Sequence, residues 1–230
     1  MTQDAKGDLA HRLERLGRFD DALELRSDVV VHLRSSLGRD DPSTLAAEAL
    51  QGFDLDRLGR HAEALALFEH IVASRSSALG PDDVRTCQAM EWLGCTLRHL
   101  GDLAGSRRYL QEAVVGYTRH GAGETEDCMK ALSHLATTLA QLGLVHEACA
   151  LRRRVLDVRN RTWGPDDPRT LASFENLATT LLWLHELDEA KVIGRNLLEN
   201  RTRLLGEDHA DTQRARELLT AIDDAERSPS

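Results

Sequence analysis

The 230-residue chain has little that a secreted, membrane-embedded or disulfide-bound protein would need. No apolar run approaches the ~20 residues that span a bilayer. The opening MTQDAKGDLA holds no apolar core of a secretory leader, so a cytoplasmic location is expected. Only four cysteines occur (Cys87, Cys95, Cys128 and Cys149), and no two of them form a CxxC pair. That excludes a thioredoxin-like redox motif and a zinc ribbon, and leaves free thiols that behave as small core residues. The five prolines and sixteen glycines cluster between periodic segments. Cations are scarce as well: 29 Lys and Arg stand against 38 Asp and Glu, a formal net charge of −9. A polyanionic nucleic acid would be repelled by that balance, so no nucleic-acid partner is expected. With 41% hydrophobic and 29% charged residues, the composition is that of a folded soluble chain, not a disordered one.

Complete catalytic constellations are missing too. His146-Glu147 and His185-Glu186 begin like a zinc-protease motif, but Ala150 and Glu189 stand where the second histidine must be. Cys95 and His99 are four residues apart on one predicted helix, with His134 as a conceivable third ligand. Among ten histidines such sets arise by chance, so no metal and no cofactor are expected. There is no GxSxG, Walker loop or GxGxxG, and GAGETED at 121–127 lacks the lysine of a phosphate loop. The chain is not expected to be an enzyme.

What is present is a phrase that returns. It reads LGRDDPSTL at 37–45, LGPDDVRTC at 79–87, WGPDDPRTL at 163–171 and LGEDHADTQ at 205–213. Leu37, Leu79, Trp163 and Leu205 are 42 residues apart or a multiple of it, which places a degenerate copy, GAGETEDCM, at 121–129. A strict long period is the signature of a repeat architecture. Between copies lie two helical patterns. The second carries Ala64, Leu67, Phe68, Ile71 and Val72, an i, i+3, i+4, i+7, i+8 stripe. Five helix pairs are predicted, at about 5–36, 42–78, 84–119, 126–162 and 168–204. A capping helix is expected at 209–226, with Leu218, Leu219 and Ile222 on one side and a disordered tail at 227–230. Met1 to Ala5 should fray.

The recurring residues have local tasks. Gly17, Gly59, Gly101 and Gly143 should end first helices in a left-handed conformation, with His185 as the exception in the series. Gly52, Gly94, Ala136 and Ala178 should mark close approach of the paired helix, which carries Ala22, Ala64, Ser106, Ala148 and Ala190. Asp41-Pro42 and Asp167-Pro168 read as an N-cap followed by proline at the first helical position. Arg75, Arg159 and Arg201 fall near the ends of second helices, where a cation suits the dipole.

The 42-residue period, the small mid-helix residue, the turn glycine and the alanine of the second helix together resemble a tetratricopeptide repeat. The LGxDHPxTL-like linker and the NLAxxL-like first helix are similar to the repeats of kinesin light chain and its bacterial relatives, best at 163–193, with WGPDDPRTL and then ENLATTLLWL. The resemblance covers about 9–213. It implies an all-α, right-handed superhelical solenoid of antiparallel helix pairs, a single domain over 1–226, whose first helices line a concave groove for a peptide or partner helix. Of the asparagines that the family uses to bond the ligand backbone, only Asn176 is present; its counterparts are Leu50, Trp92 and His134.

Carried onto this chain, the family's inward positions give a candidate groove of Phe53, Arg57, Gln88, Trp92, Arg98, His99, Lys130, His134, Gln141, Asn176, Thr179 and Trp183. Aromatic anchors among polar donors suit a binding surface, although Trp92 and Trp183 would equally fill space between repeats. Arg57, Arg98 and Lys130 would favour a carboxylate-bearing ligand, and the overall acidity a basic one. The function implied is a scaffold or adaptor for a protein or peptide partner. Two alternatives stand beside it: a ligand sensor that signals to a separate effector chain, and a structural protein that self-associates as a homodimer through its end units, the first of which carries Leu9, Leu13 and Leu16 on its leading helix, or through the groove.

Overall fold

The computed structural model describes residues 3–227, with side chains from residue 6 onward. Eleven α-helices and no strands occur among them: α1 (Gln3–Arg15), α2 (Phe19–Leu37), α3 (Pro42–Arg57), α4 (His61–Leu79), α5 (Val84–His99), α6 (Leu103–Arg119), α7 (Glu126–Gln141), α8 (Val145–Trp163), α9 (Pro168–Trp183), α10 (Leu187–Leu205) and α11 (Ala210–Arg227). The chain forms two compact units, Met1–Gly123 and Glu124–Ser230. The first unit holds α1–α6 and the second α7–α11, and within each unit every helix packs on the next. The expected fraying of 1–5 and disorder of 227–230 lie largely outside the described residues; helix is already formed at Gln3 and persists to Arg227.

The helices begin and end where their caps dictate. Asp41, Asp83 and Asp167 each accept a hydrogen bond from the backbone N–H two residues on, at 2.8–2.9 Å, and so satisfy a free donor at the helix start. Pro42 and Pro168 occupy the first helical position as predicted. Gly17, Gly59, Gly101 and Gly143 have φ of +74° to +84°, and His185 adopts φ +56° in their place. A second glycine series, Gly38, Gly80, Gly164 and Gly206, ends the second helices at φ +81° to +95°. The glycine of the repeated phrase is therefore a stop signal alongside its capping aspartate. In the degenerate copy the glycine sits one place early, at Gly121, and α6 stops at Arg119 after 17 residues where its counterparts run 19. Thr125 replaces aspartate as the cap of α7.

Packing within a pair needs the small residues. A Cβ on Gly52 would stand 2.6 Å from Phe68 Cζ, and one on Gly94 would stand 2.7 Å from Leu110 Cγ. Ala22, Ala64, Ser106, Ala148 and Ala190 are fully buried against these first helices. The core of the first unit is built on Leu45, Ala49, Leu55, Phe68, Ile71, Leu93 and Leu97. That of the second is built on Leu156, Leu171, Phe174, Leu177, Leu181, Leu197 and Ile222.

The arginines of the second helices do more than face a dipole. Arg75, Arg159 and Arg201 each donate to the backbone carbonyl ten residues on, Arg85, Arg169 and Asp211 respectively, at 2.8–3.4 Å. They thereby tie the end of one hairpin to the first turn of the next helix. Arg159 also pairs with Glu126 at 2.8 Å and reaches Ser173, and Arg201 pairs with Glu175 at 2.6 Å. Both guanidinium groups are nearly buried, so these bonds satisfy charges that would otherwise be costly.

Candidate partner-binding surface

The twelve candidate residues divide equally between the units: Phe53, Arg57, Gln88, Trp92, Arg98 and His99 in the first, Lys130, His134, Gln141, Asn176, Thr179 and Trp183 in the second. None falls in the core; all are half-buried or exposed. They come from α3, α5, α7 and α9, whose interleaved positions supply the buried leucines.

In the first unit the structure brings the aromatic candidates together as packing. Phe53 and Trp92 meet edge to face with centroids 5.2 Å apart, and Phe68 lies 6.0 Å from Trp92. Arg75 stacks over Trp92 at 5.3 Å. Trp92 thus fills the joint between successive pairs, and only part of it is open to a ligand. Arg57 lies over Phe19 and 3.8 Å from Glu14, so its charge is partly answered. Arg98 Nε is buried without a hydrogen-bond partner among the described residues. Beside it, burial and then Glu91 push the Cys95 thiol up to about 12, which keeps it protonated. Burial and the Arg98 charge push His99 down.

The second unit is more open. Trp183, at the end of α9, is 60% exposed, against a half-buried Trp92 and Trp163. Asn176 and Gln141 are exposed, and Lys130 is paired with Asp127 at 3.1 Å. The Thr179 hydroxyl donates to its own helix, to Glu175 O at 2.8 Å. Sequence reasoning missed Arg152. This α8 side chain donates to the Asn176 carbonyl at 2.9 Å and to the Thr180 hydroxyl. Burial lowers its pKa, with the Cys149 thiol the neighbouring group that acts to raise it. It lines a hollow of ≈ 10 Å³, room for about one water, with Ser133, Val155, Ser173 and Asn176. No sequence signal marked it, because it lies on a second helix and reaches across to a first.

Helix hairpins set on a fixed period, with small residues at the crossing and left-handed turns between, define a helical-repeat protein. The chain belongs to the tetratricopeptide repeat family, whose model matches residues 2–77, 45–118 and 127–191. Its fold is shared with the nearly identical TPR-like repeats of a Podospora anserina protein assigned to kinesin light chain, at 22% identity and a TM-score of 0.76 over 87% of this chain and 94% of that one. BtubC (BKLC) from P. vanneervenii is similar at 18% identity and a TM-score of 0.79, covering 91% and 84% of the two chains. MamA from Desulfovibrio magneticus RS-1 aligns at 15% identity and a TM-score of 0.56 over 99% and 97%. At these identities the likeness is one of fold. No protein of curated function matches the chain. Among the described residues no helix is long and apolar enough to cross a membrane.

Proposed function

We propose that the chain is a non-enzymatic, cytoplasmic scaffold or adaptor that holds a protein or peptide partner against the first helices of its repeats. Repeat folds of this family generally mediate protein–protein interaction. The observation that carries the reading is Trp183: a large aromatic left 60% exposed, two helical turns beyond the exposed Asn176 and one beyond the half-buried Thr179. An exposed aromatic with adjacent amide and hydroxyl groups is the composition of a binding hot spot. Arg152 supports Asn176 from beneath by holding its carbonyl. The net charge of −9 speaks against nucleic acid as the partner.

A second reading is self-association through α1 and the turn after it. Leu9 of α1 is 39% exposed and Leu16, just past its end, 74%, while Leu13 is buried.

The two are separated by capture from native extract followed by affinity measurement on the recovered partner. Trp183→Ala with Asn176→Ala should weaken binding by at least about tenfold, as truncating a hot-spot aromatic does. Unchanged affinity removes the first-helix surface from consideration. A concentration-dependent dimer abolished by Leu16→Glu would favour the second reading.

A further inference from the structure

Asp56, His61 and His99 converge at one edge of the first unit, each offering a ligand atom within 4.8 Å of the others. Asp56 sits in the last turn of α3, His61 opens α4, and His99 closes α5. His61 Nδ1 and Asp56 Oδ1 are 2.9 Å apart, and the two imidazole rings lie 4.9 Å apart at 45°. The buried Thr96 hydroxyl donates to Asp56 Oδ2 at 2.7 Å and fixes that carboxylate's orientation. We infer that this cluster is a binding site for a divalent first-row transition ion, with two imidazoles and one carboxylate as ligands and water in the remaining positions.

The chemistry of the set is selective. Two imidazoles and a carboxylate suit iron, cobalt, nickel or zinc, and not magnesium or calcium, which take oxygen ligands. Ion binding would replace the Nδ1–Oδ1 hydrogen bond, with the ring proton on Nε2 and a small rotation of the His61 ring turning Nδ1 from the carboxylate to the ion. Thr96 then takes the part of an outer partner that holds a ligating carboxylate. Sequence spacing pointed to a different trio, Cys95, His99 and His134. In the structure His99 meets Asp56 and His61 across the repeat joint, and among the described residues neither Cys95 nor His134 joins that cluster. The ion would clip the α3–α4 turn to the end of α5 and so join two successive repeats.

The test is a Co²⁺ titration of untagged, chelator-stripped protein, followed by visible absorption, with Ni²⁺ calorimetry as a second measure. A saturable ligand-field band of one ion per chain is expected, without a thiolate charge-transfer band. His99→Ala, an exposed position whose replacement should leave the helical circular dichroism intact, should weaken binding by at least about tenfold. His134→Ala should leave it unchanged. No band at millimolar Co²⁺, equal binding by His99→Ala, or a thiolate band implicating Cys95 would each overturn the assignment.

Discussion

Asp54 is buried in the first unit with its carboxylate 3.0 Å from Arg26, and burial still raises its pKa from 3.8 to about 6. A carboxyl whose folded pKa lies above its unfolded value binds its proton more tightly in the native state. Its contribution to stability therefore rises as pH falls from about 6 toward 4. The depressed carboxyls Glu14, Asp167 and Glu189 act with the opposite sign. The Asp54 effect is isolated by difference: in urea melts, wild type should gain stability relative to Asp54→Asn as pH is lowered from 7 to 5. A pH-independent difference contradicts the raised pKa. At Gly52 and Gly94 the helix gains about 1 kcal/mol in propensity from alanine, but a Cβ would meet Phe68 or Leu110 well inside contact distance. Overpacking of this kind costs about 1–3 kcal/mol, so Gly52→Ala and Gly94→Ala should be net destabilising. Gly7→Ala in α1, where nothing lies within 4 Å of the new methyl, should stabilise by about 0.5–1 kcal/mol. Thermal melts of the three variants decide it.

At the scale of the helix hairpin, the turn after α9 carries the one strained residue of its series. His185 at φ +56° replaces the glycine found at 17, 59, 101 and 143, and a non-glycine residue there costs roughly 1 kcal/mol. His185→Gly should recover about that much, read as a raised denaturation midpoint at unchanged slope. The arginine ties between hairpins should matter more. Arg159→Ala loses the Glu126 pair, the Arg169 carbonyl and Ser173 together, and about 2–3 kcal/mol is expected. Removing Arg161, whose pair with Glu124 is exposed on both sides, should change little. This scale also shows where the sequence was readable. Helix pairs, caps and crossing glycines follow from local chemistry on a fixed period, so each repeat reports the same answer independently. Burial of Trp92 and the reach of Arg152 or Arg159 into a neighbouring repeat depend on contacts between hairpins, which spacing along one helix does not encode. The same limit hid Asp56 and His61, which meet His99 only across a repeat joint.

At the scale of the whole molecule, each unit owns a hydrophobic cluster and an unbroken run of helix-on-helix contacts. Separate fragments spanning Met1–Gly123 and Glu124–Ser230 should therefore each give a helical spectrum and a cooperative melt. A fragment without cooperative unfolding would show that its unit depends on the other for folding. The boundary between the units falls in the degenerate copy of the phrase, where Gly121 is one place early and Thr125 caps in place of aspartate. A reading of the chain as one continuous solenoid predicts instead a single transition shared by both fragments when joined. The glycine stops elsewhere have a further consequence for how such a chain changes length. Gly38 and Gly80 leave their helices in the same backbone state, 42 residues apart, so a cut and rejoining between them returns every downstream cap and crossing to register. Loss or gain of a few residues inside a helix instead rotates all that follows onto the wrong face. The chain is thus editable in whole modules: removal or insertion of 42 residues between equivalent glycines leaves every cap and crossing in register.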